Sequence, residues 1–275
     1  MFNFRKDTRI NETNKIYNKT FARNTIKEDF NMLNIVITAG GTSEPIDNVR
    51  KITNSSTGKL GAVIAEELLK REDVGKIFYI KAKKAITPPL GVYVVNENKK
   101  LEIIEIESTF DLKAAVEKVL MENKIDYFIH SMAVSDYYVD YVSTAELLNE
   151  ALKGTEDFVE TLKNPQNKLE KQNKISSNQD NLVVMLRQTP KIINMIKKIS
   201  PATHLFGFKL LDGVSEEELI NVATKLKEKN NCDYVIANDL AKIREGNHEA
   251  LIIGNNIEKA YGKKDIAKKI SEKIQ

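Results

Sequence analysis

The sequence predicts an α/β fold with a mostly parallel central sheet, and three observations carry that expectation. From Asn34 onward, short apolar runs alternate with segments of helical periodicity, which is the pattern of βαβ units. The first run, Ile35-Val36-Ile37, leads into a glycine pair, Gly40 and Gly41, and a long polar loop. A small-residue turn, Asn54-Ser55-Ser56-Thr57-Gly58, then opens a helix. Open α/β sheets bind ligands outside the carboxyl ends of their strands, where this loop would stand.

The elements follow in order. Residues 34–38 form the first strand, and residues 59–71 a helix with Leu60, Val63, Ile64 and Leu68 on one side. KIFYIK (residues 76–81) and residues 101–106 read as strands. Ser108-x-x-Asp111 is a capping box opening a helix to about Glu122. Tyr127, Phe128 and Ile129 form a fourth strand that ends at His130-Ser131. Residues 135–181 lose apolar periodicity after Leu152 and become polar, charged and Asn-rich, so they read as a long loop, with a flexible flap at about 137–181. The α/β pattern resumes with a strand at residues 182–186, and Pro190 suits the first position of a helix ending before Pro201. Residues 204–210 are another strand. Ser215-x-x-Glu218 caps a helix whose Leu219, Val222, Ala223 and Leu226 share a face. Strands at residues 233–237 and 250–253 precede a terminal helix from about Lys263.

Composition narrows the function classes. The 275 residues are 41% apolar and 29% charged, enough for one domain with a real core. The net charge of +3 is spread along the chain and lacks the clustered basic stripe of a nucleic-acid binder. Cys232 is the only cysteine, which excludes a disulfide framework, and none of His130, His204 and His248 has zinc-type spacing. No apolar run is long enough to cross a bilayer. The simplest compartment is a reducing cytoplasm. Residues 1–31 read as a disordered extension or a mis-called start, with Met32 as the better initiator. A transit peptide is the lesser reading because Asp7, Glu12, Glu28 and Asp29 interrupt it.

Several segments have the residue types for anion and nucleotide chemistry, each with a plainer reading beside it. Gly40-Gly41 lets backbone N–H groups approach an anion, or is simply a tight turn; it is neither a dinucleotide fingerprint nor a Walker loop. Four small polar groups from Asn54 to Thr57 are more than the one N-cap a helix needs, and Arg50 lies four residues upstream. Asp136 follows small residues at a strand end and projects into a cleft, or it is a turn residue. Lys174, beside Ser176 and Ser177, is a flap cation or a solvated lysine. Phe208 follows Gly207 on a strand, with Lys225 and Lys229 one turn apart on the next helix; core packing and a solvated face are the plainer readings.

Taken together, these segments resemble phosphopantothenate–cysteine ligase. The matching stretches are ITAGGTSEPIDNVRKITNSSTGKLG, MAVSDYYV, the KISS loop at Lys174, QTPKII, LFGFKL and DYVIANDL, in the family's order over nearly all of residues 32–275. The resemblance implies a Rossmann-like three-layer fold, a single ligase domain over 32–275, and a homodimer whose partner helps close the site. It implies joining of 4′-phosphopantothenate and cysteine through an acyl-nucleotidylate in coenzyme A biosynthesis, with CTP (or ATP) and Mg²⁺ and without flavin. Asn54 would hold the acyl group with Arg50 nearby, and Lys174 would be the flap cation. Gly41, Ser56, Gly58, Met132 and Ala133 would contact substrate. Asp136, Pro190, Lys191, Ile192, Ile193, Phe208, Lys225 and Lys229 would join Lys174 around the nucleotide.

Two departures bear on the transfer. The flap motif here continues Ile175-Ser176-Ser177, where many fused members carry further lysines. The fused members also carry an N-terminal flavin-dependent decarboxylase, absent from this sequence, so the resemblance implies a stand-alone ligase with a separate decarboxylase acting next. The rival readings are an NAD(P)-dependent oxidoreductase on a similar fold and a non-catalytic nucleotide- or flavin-binding module. The first lacks its glycine fingerprint. The second leaves Asn54 and Lys174 without a purpose.

Overall fold

Strand β1 (Leu33–Ala39) sets the architecture, because it is buried on both faces. Its side chains alternate, as in any strand: Val36 enters one core, while Ile35 and Ile37 enter another. The computed structural model describes residues 32–89, 100–169 and 174–275. The expectation for residues 1–31 lies outside the described residues.

After β1 the chain makes a short hairpin, β2 (Ser43–Pro45) with β3 (Lys51–Thr53), then helix α1 (Lys59–Leu69) and strand β4 (Val74–Ala82). Strand β5 (Leu101–Ile106), helix α2 (Thr109–Glu122) and strand β6 (Tyr127–His130) follow. Residues 137–188 hold strand β7 (Tyr137–Thr144), helices α3 (Ala145–Leu152) and α4 (Phe158–Lys163), and strand β8 (Leu182–Gln188). The chain closes with α5 (Ile193–Ile199), β9 (His204–Leu211), α6 (Glu216–Asn230), β10 (Tyr234–Asp239), α7 (Leu240–Arg244), β11 (Glu249–Ile253), β12 (Ile257–Tyr261) and α8 (Gly262–Glu272).

The eight-stranded sheet has the order β12-β11-β10-β9-β6-β1-β4-β5. The six strands from β5 to β10 are mutually parallel, and β11 and β12 extend the edge antiparallel. Counted along the chain, the parallel strands run third, second, first, fourth, fifth, sixth, the doubly wound arrangement whose winding reverses between the first and fourth. Helices α2, α5 and α6 cover one face through Leu112, Val116, Ile196 and Leu219. Helices α1 and α8 cover the other through Ile64, Leu68, Ile266 and Ile270. The three-layer α/β expectation therefore holds.

Three expectations need correction. Residues 182–188 do not return to the central sheet: β8 pairs antiparallel with β7 in a sheet of its own. The segment expected as a continuous loop thus begins as a strand, and Val139, Val142 and Ile175 form a small core beneath it. Helix α5 starts at Ile193, three residues past Pro190, after a tight turn in which Asn194 N–H donates to Lys191 C=O at 3.1 Å. Strand β12 was not anticipated, because Ile257-Glu258-Lys259 is wholly exposed and leaves no alternation to read.

Helix α2 begins as expected. Ser108 accepts from Asp111 N–H, and Asp111 returns a bond to Ser108 N–H. Glu44, buried on the β2–β3 hairpin, accepts from Thr109 N–H at 2.9 Å and Thr109 Oγ1 at 2.7 Å, which docks the hairpin on the helix end. Ser108→Ala is expected to lower stability by about 1 kcal/mol in urea unfolding. An unchanged midpoint would mean that Glu44 alone holds this helix end.

Candidate active site at the crossover of the sheet

The carboxyl ends of β1 and β6 flank the reversal, and the chains leaving them are bonded to each other. Ala133 N–H donates to Gly40 C=O at 2.8 Å, and Thr42 N–H donates to Ala133 C=O at 3.1 Å. Ser131 Oγ donates to Thr38 C=O at 2.6 Å, and Ser135 N–H donates to Thr42 Oγ1 at 2.9 Å. Thr38 and Thr42 are wholly buried, so these hydroxyls fix loop geometry rather than meet solvent.

The loop from Thr42 to Asn54 leaves and returns at one point, where Asn54 N–H donates to Thr42 C=O at 3.1 Å. Gly41 is required there. A Cβ on it would stand 2.1 Å from Asn54 O. Gly58 has φ 71°, a left-handed conformation that suits glycine, and a Cβ on it would meet Gly40 N at 3.0 Å. Gly58 is also the N-cap of α1, with no side-chain cap. The expectation that one of the four small polar residues serves as cap is therefore corrected. Ser55, Ser56 and Thr57 are exposed, and Asn54 is half-buried with no side-chain partner among the described residues.

Asp47, not singled out from sequence, is the junction of this loop with the flap. Its buried carboxylate accepts from Val49 N–H at 2.8 Å, Arg50 N–H at 2.7 Å, Arg50 Nε at 3.0 Å and Ile175 N–H at 3.1 Å. Arg50 Nη2 also bonds Asp47 and donates to Ile175 C=O at 3.0 Å. The Arg50 side chain, with these backbone donors, holds the Asp47 carboxyl well below the usual carboxylate range. Ile175 is buried, so Lys174 is anchored by its neighbour while its own side chain is exposed. The signal was present in Asp47-Asn48-Val49-Arg50, where an aspartate bonds backbone two residues on.

The structure brings several other expected residues together. Asp136 is exposed and ion-paired with Lys191, and its carbonyl accepts from Thr189 N–H at 3.0 Å. Thr189 Oγ1 donates to Ser135 C=O at 2.5 Å, so the Pro190–Lys191 turn is stitched to the β6 exit. Met132 is buried, and Ala133 lies half-buried opposite Gly41. Phe208 is half-buried against the face covered by α1 and α8. Pro190 and Ile193 are half-buried, whereas Ile192 is sealed in the opposite core.

Lys225 and Lys229 are not brought to this place. Helix α6 returns from the carboxyl end of β9 to the amino end of β10, which carries its second half away from the crevice. Lys229 lines a small recess with Asn194, Lys197 and Lys198. A larger recess of about 750 Å³ at the amino ends of the strands contains Tyr127, His204, Asp233 and Gln275. Asp233 there is already engaged: His204 Nδ1 lies 2.8 Å from it, and Lys197, from outside the recess, 3.3 Å.

An open α/β sheet with crossed loops at its crossover point, bounded by an anchored flap, defines a doubly wound α/β domain whose ligand crevice is expected at that point. The chain belongs to the family described as DNA/pantothenate metabolism flavoprotein C-terminal domain, whose sequence profile matches residues 30–169 and 164–275. It is 32% identical over 244 residues to the coenzyme A biosynthesis bifunctional protein CoaBC of Thermococcus kodakarensis, covering 88% of this chain and 50% of that protein. The corresponding protein of Methanocaldococcus jannaschii is 31% identical over 258 residues, 92% of this chain and 52% of that one. The chain thus spans about half the length of the curated relatives it matches. The solved structure of the DNA/pantothenate metabolism flavoprotein from Streptococcus pneumoniae superposes with a TM-score of 0.74 at 38% identity, covering 89% of this chain and 98% of that one. Among the described residues no helix is long and apolar enough to cross a membrane.

Two predictions follow from this geometry. Asp47→Asn keeps the shape of the side chain and removes its charge, so the bonds to Arg50 and Ile175 weaken. Amide exchange at residues 174–178 should then accelerate while the central sheet stays protected; unaltered exchange there would contradict the junction. His130 is buried beside Thr38 Oγ1, 2.9 Å from its Nδ1, and burial lowers its pKa to about 4. The neutral ring is favoured in the folded state, so its stabilising contribution is complete above pH 6.5 and is lost as pH falls towards 4. Relative to His130→Gln, the native protein should lose about 3 kcal/mol across that window. Parallel stability curves would show that the ring protonates freely.

Proposed function

We propose that this chain is a nucleotide-dependent ligase that joins 4′-phosphopantothenate to cysteine, with CTP as the favoured nucleotide and ATP as its competitor. The observation that carries the reading is the Asp47 junction. It ties a flap lysine that forms no ion pair among the described residues to the loop bearing Asn54, whose amide likewise has no partner among them. The family membership and the coenzyme A biosynthesis proteins it resembles support the substrate class.

The chemistry asks for such parts. A carboxylate is a poor acylating agent, so its oxygen first attacks the α-phosphorus, forming a P–O bond as pyrophosphate leaves with the bonding pair. The cysteine amine then attacks the acyl carbon, the nucleoside monophosphate departs, and the amine loses a proton. Negative charge builds around the α-phosphate in the first step, where Lys174 stabilises it. Asn54 holds the acyl carbonyl by hydrogen bonding, with Gly41, Ser56, Gly58 and Ala133 shaping the wall around it. Arg50 keeps the flap in register, and Asp136 with Lys191 and Phe208 faces the nucleotide. Among the described residues no group of three or more His, Cys, Asp or Glu could hold a metal ion. Mg²⁺ would therefore arrive on the phosphates, keep mostly water and phosphate ligands, and supply charge neutralisation there.

Asn54→Ala should lower product formation at least about a hundredfold with an unchanged circular dichroism spectrum. Lys174→Gln should slow pre-steady-state pyrophosphate release by a similar factor, and a normal burst in that variant would remove the lysine from the first step. Turnover measured with CTP and ATP in parallel fixes the nucleotide. Bound flavin, or hydride transfer to NAD(P), would sink the ligase reading.

A further inference from the structure

Two buried polar side chains on β4 take no part in the proposed chemistry. Tyr79 is wholly buried in the core beneath α1 and α8, and Lys81, two residues on, shares its face and is almost as completely enclosed. A lysine is seldom sealed inside a sheet unless its ammonium is fully paired. Here both polar ends reach one target, the loop that leaves the carboxyl end of β4. Tyr79 Oη donates to Ile86 C=O at 3.0 Å. Lys81 Nζ donates to Lys83 C=O at 3.1 Å and pairs with Glu105 at 2.8 Å. Residues 83–86 are thus held at both ends from within the sheet.

That loop stands behind the polar run of the crevice. Ile86 takes the Tyr79 hydroxyl on its carbonyl and gives its own N–H to Thr57 C=O at 3.0 Å. Ala85 is buried beside it, and its methyl fills the room that a Cβ on Gly40 or Gly58 would need, 2.6 and 2.9 Å from those positions. Among the described residues, the backbone of 54–57 is tied to the rest of the chain at two places. One is Asn54 N–H on Thr42, and the other is Thr57 C=O on Ile86. The hydroxyls of Ser56 and Thr57 bond only locally, to Gly58 N–H and Lys59 N–H at 3.4 Å each. The far end of the run is therefore as well placed as Ile86 is, and Ile86 is placed by Tyr79.

We propose that Tyr79 is a positioning residue, with Lys81 as its support: through Ile86 it holds Asn54–Thr57 against the glycine floor and so aims the Asn54 amide. The hold on the run rests on these bonds alone. Its effect on the acyl substrate rests on the ligase reading.

The test uses the full chain and two readouts, amide exchange without ligands and steady-state kinetics. Tyr79→Phe keeps the ring and withdraws the donor, so the amides of Ile86 and Asn54 should exchange at least about fivefold faster. The kcat/KM for 4′-phosphopantothenate should fall by a similar factor while the KM for CTP stays unmoved. Lys81→Met keeps the stem and loses the donor, and should repeat both changes; unaltered exchange in it removes Lys81 from the hold. Tyr127→Phe is the structural control. It withdraws a buried hydroxyl of the same kind from Gln275 C=O, 2.9 Å away at the amino ends of the strands, and should move neither readout. Faster exchange in Tyr79→Phe, in a protein that makes no product, would sink the ligase reading and leave the positioning role standing. Unchanged exchange at Ile86 and Asn54, or the same changes in Tyr127→Phe, overturns that role.

Discussion

Everything at the carboxyl end of this sheet depends on one constraint: β1 and β6 are neighbours whose chains leave in opposite winding directions. The gap this opens is closed at its floor by backbone bonding between Gly40, Thr42 and Ala133. Because those bonds use main-chain groups, side chains there must be small or absent. Gly41 cannot carry a Cβ under Asn54, and Gly58 cannot carry one over Gly40. The glycines are thus part of how the loops cross, and the polar groups above them remain available for a ligand.

A second level of organisation comes from buried carboxylates acting as structural anchors. Glu44 seats the hairpin on α2, and Asp47 joins the hairpin to the flap. Both are used up in hydrogen bonds and serve to orient neighbours that are not. Asn54 and Lys174, without side-chain partners among the described residues, stand on this frame. The division between spent and unspent polar groups separates scaffold from candidate chemistry more sharply than burial alone does.

Much of this was legible in the sequence, for identifiable reasons. Ile35-Val36-Ile37 before Gly40-Gly41 is a strand exit on local grounds, and Ser108-x-x-Asp111 announces its helix because both bonds of the box are local. The partner of strand β8 was not legible, because Leu182-Val183-Val184 has the same apolar pattern whether it pairs within the central sheet or with β7. Asp47 was passed over because the bond that joins it to the flap, from Ile175, comes from 128 residues away, and local spacing shows only its bonds within the hairpin. For Lys225 and Lys229 the helical spacing gives only that they stand one turn apart; it does not say which end of the sheet that turn occupies, and the fold sets it in the half of α6 that runs towards β10.

The central claim is that the crossover loops, the β6 exit and the anchored flap act as one ligand site. Amide hydrogen exchange with CTP and 4′-phosphopantothenate together tests it most directly. Protection should appear jointly in residues 40–57, 131–136 and 174–176, with little change at the amino ends of the strands. Protection confined to the recess around Tyr127, His204 and Asp233, or absent from the flap, would contradict the account.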